Sequence, residues 1–109
     1  LFDLNSIKNS IKNILLTSPG QKILNPTFGI DLRRYLFEPI TTFTSYQIKS
    51  AITNNLPDMD PRIELDMVTV VPIPDRQEYY ITLLIDVPSL NIYGLSLKSL
   101  LNSTGYYTL

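Results

Sequence analysis

The order of apolar periods predicts an α+β fold: an N-terminal helix, two further short helices, and then an antiparallel meander of about three strands. Up to Leu56 the apolar residues recur at helical steps of three and four, and from Arg62 onward they alternate with polar residues. No segment repeats and none is of low complexity, so the two halves build one mixed domain. A chain of 109 residues, 44% hydrophobic and 17% charged, is long enough for one such domain and too short for two.

The first helix is predicted from Leu4 to Thr17. Leu4, Ile7, Ile11 and Ile14 form an apolar seam at steps of three, four and three, while Asn5, Lys8, Asn9, Lys12 and Asn13 fall on the other side. Asp3 is placed as its cap and Ser18-Pro19-Gly20 as its stop. A seam this narrow is closer to a coiled-coil edge than to a broad core face. It can therefore complete a bundle with another chain or pack on its own domain. The expected layout is a protruding helix over residues 1–18 on a globular part, 19–109.

Asn25-Pro26 and Phe28-Gly29 punctuate a connecting loop, with a short strand at Lys22–Leu24. A short helix is predicted from Asp31, its cap, to Phe37, ended by Glu38-Pro39 because the residue before proline avoids helical geometry. Thr44-Ser45-Tyr46-Gln47 reads as a capping box opening a helix to Leu56, with Ile48, Ala51, Ile52 and Leu56 inward and Pro57 as its stop.

Strands follow at 62–71, with Ile63, Leu65, Met67 and Val71 inward, and at 79–87, with Tyr79, Ile81, Leu83, Ile85 and Val87 inward. Pro72-Ile73-Pro74-Asp75 is a wide hairpin loop. If Val71 faces Tyr79, Glu64 lies opposite Asp86, and Arg62 on the same face can bridge both acids; a register one pair away is the alternative. A third strand is predicted at 92–100, and Asn102–Leu109 fits neither period.

Composition excludes several functions. There is no cysteine and no histidine, hence no disulfide, no thiolate or imidazole metal site and no histidine base for a hydrolytic triad. The four glycines are isolated, so no phosphate-cradling loop exists. No apolar run reaches the roughly 20 residues of a membrane helix. A net charge of −1 and the lack of interleaved basic and aromatic residues argue against nucleic acid. Residues up to Pro57 carry six Lys/Arg against three acids and the remainder three against seven, a dipolar layout that can orient a subunit or arise by chance. The chain opens on Leu1 without Met, so the native N-terminus is expected upstream. Paired carboxylates are the one remaining route to catalysis. Asp31 and Glu38 are about 10 Å apart along a helix, beyond the roughly 5–9.5 Å of glycosidase pairs. Glu64 and Asp66 share a strand face and read as solvated. No cofactor is expected, and the chain is not expected to be an enzyme.

Three stretches carry a resemblance: Pro19-Gly20-Gln21-Lys22 with Asn25-Pro26-Thr27-Phe28-Gly29-Ile30-Asp31-Leu32, then Leu36-Phe37-Glu38-Pro39, then Asp60-Pro61-Arg62-Ile63. In this order and spacing they resemble the wedge proteins of contractile phage-tail baseplates, with relatives in type VI secretion and contractile bacteriocin baseplates. The resemblance runs from about Ser6 to Val87. Asp60 stands where that family typically has glutamate, and Lys22 where arginine is common; Lys22 keeps the charge and loses bidentate geometry.

The resemblance implies a structural subunit of the virion's tail baseplate, assembled in the host cytoplasm in multiple copies. Its partners would be larger wedge subunits and the tail-sheath protein. Carried over by position, Leu4, Ile7, Ile11 and Ile14 would form the seam of a helical bundle with a larger wedge subunit, and Asp60, Pro61 and Arg62 would dock against it. The globular part resembles the terminal domain of the sheath protein, whose sheet neighbours extend. The third strand, through Leu95, Leu97 and Lys98, is the candidate edge for such addition. Rival readings are a soluble anti-adaptor-like regulator of the same fold and a cell-wall glycosidase.

Overall fold

The apolar residues at every second position from Tyr79 to Val87 are the strongest strand signal in the chain, and they build the centre of the sheet. A computed structural model describes residues 4–16 and 30–109. Helix α1 (Leu4–Leu16) is followed by a 3-10 segment (Leu32–Phe37), helix α2 (Thr42–Met59) and strands β1 (Glu64–Ile73), β2 (Glu78–Val87), β3 (Ile92–Asn102) and β4 (Gly105–Thr108). The strands form one antiparallel sheet in the order β1-β2-β3-β4. The α+β class is as expected, with a fourth strand added. The predicted Asp3 cap, the Ser18-Pro19-Gly20 stop, the strand at 22–24 and the loop motifs up to Gly29 lie outside the described residues.

One face of the sheet is covered. Tyr79, Ile81, Leu83, Ile85 and Val87 of β2 are each 0% exposed, and Val68, Leu97, Leu101 and Tyr106 bring the other strands into the same core. Helix α2 lies over β1 and supplies Ile48, Ile52 and Leu56. Helix α1 covers the other end, touching α2, the 3-10 segment and β4; Ile11 sits beside Leu97 and Tyr106. Its seam residues Ile7, Ile11 and Ile14 are 0–2% exposed, Leu15 is 0% exposed and Leu4 is half-buried.

This corrects the protruding-helix expectation. The helix-side face of a four-stranded sheet needs more cover than a single 18-residue helix provides, and the seam fills the gap within its own chain. Backbone and side-chain ties hold the helix end: Ile30 N–H donates to the Ile14 carbonyl (2.9 Å), and the Arg33 guanidinium to the Leu16 carbonyl (3.0 Å).

The helix boundaries differ from the sequence reading in explicable ways. Thr41, not Thr44, caps α2 by accepting the Thr44 N–H (3.3 Å), while the Thr44 hydroxyl donates to the Pro39 carbonyl (3.0 Å). Pro57 does not stop α2, which continues to Met59. The hydrogen bond it forgoes is the one to the Thr53 carbonyl, on the exposed side where water can serve. Asp31 adopts φ 54° and ψ 68° and makes no side-chain cap, so it begins the 3-10 segment by a left-handed bend.

The hairpin register is the instructive difference. Val71 pairs with Tyr80, one position from the expected Tyr79, yet Glu64 does face Asp86. Asp66 reconciles the two, because it is an extra residue bulged out between Leu65 and Met67. The bulge reverses the side-chain phase. Val68 and Val70 turn to the helices, while Met67 and Val71, expected inside, are 58% and 44% exposed.

The two long hairpins share one turn. In each, a strand ends on a residue near φ −125°, a proline opens a three-residue 3-10 turn (Pro74–Arg76 and Pro88–Leu90), and a left-handed residue, Gln77 or Asn91, returns the chain. After the second turn, Gly94 at φ +66° lets its N–H reach the Asp86 carboxylate (2.7 Å) across a second bulge.

Candidate functional site

The turn between α2 and β1 holds the densest polar cluster described. Asp60 is 4% exposed and accepts from both Nε and an Nη of Arg62 (2.8 and 2.7 Å) and from the Arg62 N–H (3.2 Å). The Ser10 hydroxyl of α1 donates to the same carboxylate (2.7 Å). Pro61 closes the turn, and the Ile63 N–H donates to the Asp60 carbonyl (3.1 Å). The fork-to-carboxylate geometry holds the Asp60 pKa below the usual carboxylate range, chiefly through the Arg62 side chain and against the opposing effect of burial. Arg62 is raised in turn by the same bond.

Asp60, Pro61 and Arg62 therefore do meet the N-terminal helix, but it is the chain's own helix they meet. The expected bridge from Arg62 to Glu64 and Asp86 is not made; among the described residues its ion pair is with Asp60. Asp60 lies two residues away and inside the turn, within reach of a fork that would have to extend along the strand to meet the others.

Without that bridge, Glu64, Asp66 and Asp86 share one corner of the sheet. Partial desolvation, then a hydrogen bond to Asp86 and the charges of Asp86 and Glu64, raise the Asp66 pKa. No group of three metal-ligating side chains occurs among the described residues. Glu38, the other candidate acid, is exposed at the end of the 3-10 segment.

The expected edge strand is covered over its second half only. β4 pairs with Ser99–Asn102 of β3, and the Leu109 N–H takes the Lys98 carbonyl (2.8 Å). Leu95 and Leu97 pair with Ile85 and Leu83 of β2. The residues left ambiguous in the sequence supply a covering strand that reaches Lys98, while Leu95 and Leu97 lie beyond its pairing and are bonded to β2 alone among the described strands. The turn Asn102-Ser103-Thr104-Gly105, with the Thr104 N–H on the Asn102 side chain (2.9 Å), carried the hairpin signal that finds β4.

Two uncovered surfaces were not anticipated. The face of the sheet away from the helices presents Met67 and Val71 of β1, Tyr80 and Leu84 of β2, Leu100 of β3 and Tyr107 of β4. Separately, Phe37, Phe43 and Tyr46 are 93%, 71% and 67% exposed around the start of α2.

Comparison with known proteins decides what kind of molecule carries these surfaces. The family model for baseplate wedge protein gp25 matches residues 3–91. The chain belongs to the baseplate wedge protein gp25 family. A curated relative, the baseplate wedge protein gp25 of Enterobacteria phage T4, is 38% identical over 72 residues, covering 66% of this chain. The chain spans about half (54%) of that relative's length. Among solved structures, a Geobacter sulfurreducens protein proposed to be a tail lysozyme is 26% identical, with a TM-score of 0.71 over 100% of this chain and 92% of that one. Family membership places this chain among the structural proteins of the phage-tail baseplate. The Asp60-Pro61-Arg62 cluster and the uncovered sheet face lie within the matched wedge region or pair with it.

Proposed function

We propose that this chain is a non-catalytic building block of the baseplate wedge that works by giving neighbouring subunits a preformed apolar sheet face and sheet margin. The observation that carries the reading is the asymmetry of the sheet. Its helix side is closed by α1 and α2, whereas on the other side Met67, Val71 and Tyr107 are exposed and Tyr80, Leu84 and Leu100 half-buried, with no helix packed over them among the described residues. Single exposed apolar residues are unremarkable, but the unbroken cross-strand row of Val71, Tyr80, Leu100 and Tyr107, with Met67 and Leu84 beyond the polar row of Thr69, Thr82 and Lys98, signals a protein partner. The larger wedge subunits and the sheath protein are the partners proposed. Because the α1 seam is occupied, a bundle with a larger wedge subunit would use the outer side of α1 and the Arg62 corner.

The test is a double substitution on that face. Met67→Lys with Val71→Lys should change stability by no more than about 1 kcal/mol, since both side chains are exposed. The variant should nevertheless fail to co-purify with the wedge complex. Normal incorporation would refute the reading.

The description of the Geobacter relative favours one second reading, a cell-wall glycosidase. Such an enzyme sets its general acid in an apolar pocket that keeps the carboxyl protonated. Glu38 stands in water instead, and Asp66 belongs to an exposed strand corner, so the geometry supports the assembly role better.

A further inference from the structure

We infer that the cleft between the 3-10 segment and the β3–β4 turn takes a segment of another subunit in which an acidic residue lies beside a bulky apolar one. The inference rests on the wedge reading above and adds to it a surface other than the uncovered sheet face.

The local fold builds the cleft. Leu32-Arg33-Arg34-Tyr35-Leu36-Phe37 is a 3-10 segment anchored in the core by Leu32, which is 0% exposed. In such a helix residues three apart eclipse, at a spacing of about 6 Å. Arg33 is thus in line with Leu36, and Arg34 with Phe37. These two guanidiniums and two apolar side chains share a cleft of about 390 Å³, completed by Asp31 and by Ser103 of the turn. Phe37 is 93% exposed, so its ring stands almost wholly in water at a concave site of the size that takes ligand groups.

Both guanidiniums are fixed within the free chain. Arg33 donates to the Leu16 carbonyl (3.0 Å), and its Nε lies 3.5 Å from the Asp31 carboxylate. Arg34 donates to the Tyr35 hydroxyl (3.1 Å) and sits 5.0 Å from the centre of that ring. Each keeps further N–H donors that are open among the described residues, and Arg34 makes no ion pair there. A cation already held in place gives up little freedom when a partner arrives.

Charge and apolar surface together name the occupant. The lining carries two positive groups against one negative, which selects a carboxylate. A free phosphate would use the guanidiniums and leave Phe37 in water. A nucleic-acid backbone needs a run of cations, and the exposed Glu38 next to Phe37 opposes it. A peptide whose acid and apolar side chains are about 6 Å apart uses both halves of the cleft.

Hydroxyl-radical footprinting of Phe37 tests whether the cleft is filled, in the free chain and in the native baseplate particle, with mass spectrometry showing that the chain is present. Ready modification in the free chain should be lost in the particle; equal modification in both would overturn the proposal. Benzoylphenylalanine in place of Phe37 then identifies the occupant by photo-cross-linking in purified particles. The cross-link should map to another subunit, at an Asp or Glu within about four residues of a bulky apolar residue. A cross-link to a second copy of this chain, or to a segment lacking that acid, would overturn the assignment. Arg34→Glu added to this variant should cut the cross-link yield at least about tenfold, whereas Arg34→Lys should keep most of it. Both should melt as the parent does, because Arg34 is exposed. An undiminished yield with Arg34→Glu would overturn recognition by charge. Absence of the chain from the particle would overturn the wedge reading itself.

Discussion

Replacing Ile7 and Ile11 together by Asp should unfold the domain rather than merely spoil its assembly. Both side chains are essentially inaccessible, at 0% and 2% exposure, and Ile11 lines a small gap together with Leu97 and Tyr106 in the same core cluster. Each substitution removes roughly 3 kcal/mol of burial and cavity stabilisation and demands that a carboxylate be desolvated or the helix expelled. Two such changes cost on the order of 6 kcal/mol or more, comparable with the roughly 5–15 kcal/mol total expected of a small domain. Urea denaturation followed by circular dichroism checks this. A variant with an unshifted midpoint would show that α1 contributes little to the fold and that its seam belongs to another chain.

The second large effect is expected at Asp60. Asp60→Ala removes the acceptor of three hydrogen bonds from Arg62 and one from Ser10, at a carboxylate 4% exposed. Losing one partner of a fully buried pair costs about 3–5 kcal/mol. Arg62 keeps 35% side-chain exposure and can rehydrate, so about 2–3 kcal/mol is expected here. The pH dependence follows from the lowered pKa. This contribution is fully present above the unfolded-state value of about 3.9 and is lost as pH falls through the lower folded value. Asp60→Asn should therefore flatten the acid limb of the stability profile, while Arg62→Lys should keep the charge and lose the fork. Melting curves between neutral pH and pH 3 measure both, and an Asp60→Asn variant with the wild-type acid limb would contradict the assignment.

The parts of this molecule that were legible in its sequence are those governed by local periodicity. From Tyr79 to Val87 every second residue is apolar because β2 is central and one of its faces is wholly buried. Helix α1 is equally plain in period, yet a period names a buried face without naming what buries it. The seam of Leu4, Ile7, Ile11 and Ile14 suits a partner chain or a home core, and the choice depends on how much of the sheet α2 leaves open. The bulge at Asp66 was hidden for a different reason. A single extra residue reverses the phase of everything after it, and only the adjacent Val68-Thr69-Val70 alternation hinted at the change. Asp60-Pro61-Arg62 was recognised as a unit by resemblance. That Ser10, fifty residues away, completes it follows from tertiary packing alone.

Oxidative footprinting of Met67 tests the central claim most directly, because the thioether reports its own solvent access and the chain has only two methionines. Met67 is 58% exposed on the uncovered face in the free chain. The account predicts rapid oxidation there and strong protection once the chain is built into the baseplate. Equal oxidation in the free chain and in the particle would mean that the face stays bare to water and that this chain assembles through some other surface.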